Sequence, residues 1–121
     1  MTSITITLPL PGKHLSPNAR VHWAIKSKLT KAHRKAAYLA TVTALKGNTP
    51  EGWMKSKLEV SAYFPTYRFP DPGNFMASLK AYEDGIADSG VIVNDKSLWP
   101  ERPMFAKDAR RPRVILTITK E

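Results

Sequence analysis

The sequence predicts an α/β fold of the α+β-like kind: one small mixed sheet of about four strands with two main helices packed on it. Three observations predict it. Segments that alternate at period two are interleaved with segments of helical period, breaker clusters separate them, and the order reads strand, helix, strand, helix, strand, strand. Thr5-Ile6-Thr7-Leu8 alternates and reads as the first strand, stopped by Pro9-Leu10-Pro11-Gly12. Residues 23–46 read as a long amphipathic helix with Ile25, Leu29, Ala32, Ala36, Leu39, Val42 and Leu45 on its apolar stripe, ended by Gly47-Asn48-Thr49-Pro50. Trp23 is expected as a core or helix-start anchor. Residues 58–64 alternate again as a second strand, and Pro65, Pro70 and Pro72 hold the following loop.

A second helix is expected over residues 74–89, with Asn74 as N-cap, Gly90 just past its end, and Phe75, Leu79, Tyr82 and Ile86 as its apolar stripe. Gly85 inside it costs roughly 1 kcal/mol relative to Ala, which implies that something requires a small residue there. Residues 91–93 lead extended into Asn94-Asp95. Two closing strands are expected at residues 104–107 and 113–119, paired as an antiparallel hairpin around the basic turn Ala109-Arg110-Arg111-Pro112.

A chain of 121 residues is enough for one domain and one core. Its net charge of +9 points to a polyanionic partner, nucleic acid above all. The charge is uneven. Residues 1–50 contain no Asp or Glu but hold Lys13, Arg20, Lys26, Lys28, Lys31, Arg34, Lys35 and Lys46, a composition suited to phosphates. The absence of cysteine excludes disulfides, thiolate nucleophiles and Cys-based zinc sites. The N-terminus lacks the pattern of a signal peptide, and no apolar run approaches the roughly 18–20 residues of a membrane span. The expectation is a cytoplasmic protein with no membrane association and no small-molecule cofactor.

Phosphodiester hydrolysis at neutral pH calls for a hard cation held by carboxylates, with basic groups nearby. Asp71 precedes a helix in Arg68-Phe69-Pro70-Asp71-Pro72-Gly73-Asn74, and Asp95 sits in a short loop followed by Lys96. Asp-Pro-Gly-Asn is equally a strong turn tetrad. Lys80 and Asp84 stand at i and i+4, the spacing of a helix-surface ion pair, with Asp88 continuing the face. A helix over residues 74–89 would be about 24 Å long. Residues 91–95 return at most about 18 Å when extended, so Asp71 and Asp95 meet only if the preceding loop leans inward. His22 and His33 are eleven apart, not at a ligand spacing, and suggest DNA contact or surface exposure.

The 71–95 block resembles the RusA family of Holliday-junction resolvases, whose members carry Asp-x-Asp-Asn, a helix with a lysine and an Asp, a Gly, and an Asp-Asp pair. The corresponding residues here are Asp71-Pro72-Gly73-Asn74, then Lys80, Asp84 and Gly90, then Asn94-Asp95. Leu8-Pro9-Leu10-Pro11, Ser16-Pro17-Asn18-Ala19-Arg20 and His22-Trp23 are similar to the family's opening. The resemblance implies a bacterial or phage-encoded homodimer that resolves four-way DNA junctions by paired cleavage with Mg²⁺, Mn²⁺ being a substitute. It implies Asp71, Asp95, Lys80 and Asn74 as catalytic residues, and Asp71, Asp95 and Asp84 as metal ligands. Lys28, Lys31, Arg34, Lys35, Arg20, His22, Arg68 and Lys96 are the expected DNA contacts. The chain departs from the pattern at Gly73 and Asn94, each in place of an acid, which implies weaker metal binding. The alternative is a catalytically weakened junction-binding protein on the same fold; a basic interaction module with no DNA role is a further rival.

Overall fold

The structure, a computed structural model, describes residues 2–12, 15, 20 and 22–121. The opening motif residues Ser16, Pro17, Asn18 and Ala19 lie outside the described residues, as does Lys13. The elements are β1 (Ser3–Leu8), α1 (Trp23–Ala44), β2 (Ser56–Phe64), α2 (Pro72–Ser78), α3 (Lys80–Asp88), a 3₁₀ turn (Asp95–Ser97), β3 (Leu98–Pro100), β4 (Met104–Lys107) and β5 (Arg113–Lys120). They form a mixed five-stranded sheet with helices on one face, as the alternation of periods predicts.

β5 lies between β1 and β2 and is antiparallel to both. β3 and then β4 lie along the other side of β2, each parallel to it. The expected hairpin between the last two strands does not form: β4 and β5 flank β2 on opposite sides. Packing decides this. On that side of β2, Phe105 of β4 meets Phe64 and Phe75 edge-on, with ring centroids 5.2 and 5.3 Å apart, a favourable aromatic geometry. Residues 91–93 are not a strand either. Val91 and Ile92 are buried, but only one isolated parallel bridge joins Ile92 to Trp53.

Period-two alternation sends Ile4, Ile6, Leu8, Leu58, Val60, Ala62, Phe64, Val114, Leu116 and Ile118 into the core beneath the helices. The other face carries hydroxyl pairs, Ser3 with Thr119 and Thr5 with Thr117.

The first helix buries part of the expected stripe, Leu45 in the core and Ala36 against it, and shifts the rest. Ala37 and Thr41 are fully buried, with Ala36, Ala40 and Ala44 packed against the core, while Ile25, Leu39 and Val42 stay exposed. The reason is close approach to α3. A Cβ at Gly85 would lie 2.1 Å from the Arg34 carbonyl oxygen and 2.8 Å from the Ala37 Cβ. Only small residues fit at that crossing, so alanines line it and the larger side chains turn outward. Trp23 is 76% exposed and anchors nothing in the core.

Candidate active site

The expected second helix is two helices. Phe75, Leu79, Tyr82 and Ile86 are all buried, as their spacing predicts. The break falls at Leu79 (φ −85°, ψ 0°), whose N–H bonds the Met76 carbonyl, an i→i−3 pattern. The Ser78 hydroxyl donates to the Phe75 carbonyl at 2.6 Å and competes with the helical ladder. The chain therefore bends just before Lys80.

Asp71, not Asn74, caps α2. Its Oδ2 accepts the Asn74 N–H at 2.9 Å, and Pro72 follows at the first helical position. Asp-Pro-Gly-Asn is thus a helix start rather than a free turn. The preceding loop is anchored by Phe69, whose ring packs 5.5 Å from Phe64 and 5.8 Å from Phe105. Asp71, Asn74 and Arg68 line a cleft of about 450 Å³ whose walls include Phe69, Phe75 and Ser78.

Ser78 also lines a second cavity of about 280 Å³, with Lys26 and Thr30 from α1 and Lys80, Ala81 and Asp84 from α3. At its rim the Lys80 ammonium donates to Asp84 Oδ1 at 2.9 Å and to Asp95 Oδ2. Asp95 opens the 3₁₀ turn, which Asn94 caps by accepting the Lys96 N–H at 2.8 Å. The hydrogen bond from Lys80 holds the Asp95 carboxyl below the usual carboxylate range, and the same bonds to Asp95 and Asp84 raise the lysine.

The structure thus gathers Lys80, Asp84 and Asp95, fifteen residues apart in sequence at the extremes. Asp71 and Asn74 sit at the neighbouring cleft, where the Asp71 carboxylate serves a helix cap. The three expected metal ligands, Asp71, Asp84 and Asp95, are not drawn into one cage: among the described residues no group of three or more His, Asp or Glu is placed to hold a metal ion.

The expected DNA contacts divide. Lys28, Lys31 and Lys35 are exposed on the outward side of α1, and Arg20, Arg68 and Lys96 are exposed as well. Arg34 is different. Its guanidinium binds Asp88 of α3 through two hydrogen bonds of 2.6 and 2.7 Å, a bidentate clamp between helices rather than a lone phosphate contact. His22 caps α1, its Nδ1 accepting the Ala24 N–H at 3.3 Å. His33 stacks on Tyr82 at 5.0 Å and contacts the Leu29 carbonyl.

Sequence reasoning missed two residues of the site. Lys26 lies on the inward side of α1, four residues before Thr30, and a helical wheel separates it from Lys28, Lys31 and Lys35. Glu83, half-buried on α3, is pushed up to about 7 chiefly by burial, with Asp95 and Asp84 adding to the rise and Lys80 opposing it. Its i+3 spacing from Lys80 was the available signal.

No family model matches the chain. It is 38% identical over 117 residues to an uncharacterized protein of the bacterium Xylella fastidiosa (strain Temecula1), a match that covers 95% of this chain and 75% of that protein. The chain belongs to the family of that protein. No helix among the described residues is long and apolar enough to cross a membrane.

Proposed function

We propose that the protein is a metal-dependent endonuclease that resolves four-way DNA junctions by paired phosphodiester cleavage, acting as a homodimer in the bacterial cytoplasm. The observation that carries the reading is the convergence of Asp84 and Asp95 on one cation, the Lys80 ammonium, beside a cavity that also holds Lys26. Two carboxylates that already bracket a cation suit Mg²⁺ or Mn²⁺, which take one or two protein carboxylates and complete their shell with water and phosphate oxygens. Bound there, such an ion supplies Lewis acidity and an activated water. Lys80 and Lys26 neutralise charge on the scissile phosphate, and Asn74 orients the Asp71 side of the site. In this reading Asp71 acts from the adjoining cleft, where its carboxylate caps α2, and is not a ligand of that ion. Lys28, Lys31 and Lys35 grip backbone phosphates without reading bases. A two-fold dimer sets two such sites on opposed strands of a junction.

The test is a nicking assay on a synthetic four-way junction with Mg²⁺ or Mn²⁺. Paired cleavage by the wild type, lost in Asp95→Asn, is the expected result. One feature favours a second reading, a junction-binding protein with weakened catalysis: Gly73 stands where the resembled pattern has an acid. Gly73→Asp decides between them. Its Cβ would lie 3.2 Å from Asp71 Oδ2, so the new carboxylate enters the Asp71 side of the site with a small shift. Cleavage that appears only in Gly73→Asp supports the second reading. No cleavage by either form, with either ion, rejects the nuclease.

A further inference from the structure

We infer that the Lys80 ammonium is the resident counter-ion of Asp84 and Asp95, and that it yields this place to a divalent cation and moves into the cavity beside Lys26 to meet a phosphodiester oxygen. The inference rests on the metal-dependent reading above and concerns how its site is held before and after the ion arrives.

Three observations support it. Among the described residues Lys80 is the one that bonds both carboxylates, and it joins two elements, α3 and the 3₁₀ turn, that otherwise carry two like charges toward each other. Without a cation between them those acids would repel, so the lysine keeps the geometry assembled in the absence of metal. Second, the Lys80 side chain is 58% exposed, whereas those of Asp84 and Asp95 are 27% and 35% exposed. The cation is therefore the more solvent-accessible partner, and the carboxylates are the more enclosed ones. Third, the side chain has somewhere to go. It borders a cavity of about 280 Å³ lined by Lys26, Thr30 and Ser78. The hydroxyls of Thr30 and Ser78 both donate to backbone carbonyls, to Lys26 and Phe75. Among the described residues the cationic side chains that line this cavity are Lys26 and Lys80, a pair suited to an anionic guest.

An ammonium and a divalent ion cannot occupy the same two carboxylates, so the lysine must weaken metal binding. Two partly exposed ion pairs correspond to about a five- to tenfold effect on affinity. The experiment is a direct titration of the full-length protein with Mn²⁺, followed by the electron paramagnetic resonance of free Mn²⁺ and by calorimetry. Lys80→Met is expected to bind Mn²⁺ about five- to tenfold more tightly than wild type. Its melting temperature without metal should fall below wild type, and saturating Mn²⁺ should close that gap. Lys80→Arg, which keeps a cation on both acids with a firmer two-point grip, should bind Mn²⁺ more weakly than wild type and provides the test if Lys80→Met fails to fold. Asp95→Asn should lose the Mn²⁺ site. Equal or weaker Mn²⁺ binding in Lys80→Met, with loss in Asp95→Asn, overturns the counter-ion inference while leaving the metal-dependent nuclease intact. Absence of Mn²⁺ binding in every form overturns both.

Discussion

Replacing Gly85 by alanine tests whether the α1–α3 crossing sets the site. In an open helix this substitution gains about 1 kcal/mol from propensity. Here the new methyl would lie 2.1 Å from the Arg34 carbonyl oxygen, 2.8 Å from the Ala37 Cβ and 3.0 Å from the Tyr38 nitrogen. Two of those three atoms are backbone, so no side-chain rotation relieves the contact. The helices must separate by roughly 1 Å or more to reach ordinary contact distance. Overpacking of that kind costs about 1–3 kcal/mol, and a backbone obstacle places it at the upper end. Set against the propensity gain, the net loss is about 2 kcal/mol. In a domain of this size each kcal/mol moves the melting temperature by about 3–6 °C, so a fall of roughly 6–12 °C is expected. Circular-dichroism melts and urea titrations read it directly. A variant as stable as wild type, or more so, would refute the reasoning and with it the explanation for the alanine-lined face of α1.

Asp71→Asn should keep the α2 cap, because Asn caps as well as Asp, while removing the charge. The expected result is an unchanged melting temperature with cleavage down by about 100-fold or more, the scale of a lost transition-state charge contact. Unchanged cleavage would remove Asp71 from the chemistry. Lys28→Ala, Lys31→Ala and Lys35→Ala should each reduce the slope of log affinity against log salt by about 0.9 in a junction-binding titration. Arg34→Ala, by contrast, should chiefly destabilise the fold, since it leaves Asp88 without its clamp. Glu83 sets a pH signature. Its folded value near 7 lies above the ordinary glutamate range, so the native state keeps a proton that the unfolded chain releases. Stability should therefore fall as pH rises from about 4.5 to 7, and Glu83→Gln should flatten that segment in denaturant titrations across pH. Asp95 and Asp88, held low by Lys80 and Arg34, act in the opposite sense. Their contribution is present above the ordinary carboxylate range and lost in more acidic solution.

Local pattern alone determined the fold class, the register of inward residues on β1, β2 and β5, and the apolar stripe from Phe75 to Ile86, because each follows from a period of 2 or 3.6 that a short window contains. It also marked Gly85 as a residue kept for a reason, and Lys80 with Asp84 as a pair. The tertiary structure alone decided three things. It brought Asp95 to Lys80 across fifteen residues, through the left-handed turn at Gly90 and the buried return of Val91 and Ile92 beside Trp53. It turned Ile25, Leu39 and Val42 outward, because a close helix crossing rewards small side chains over apolar ones. And it gave Arg34 a bidentate carboxylate partner on α3, Asp88, fifty-four residues away in the chain. Each of these depends on which surfaces meet, and no window of neighbouring residues holds that information.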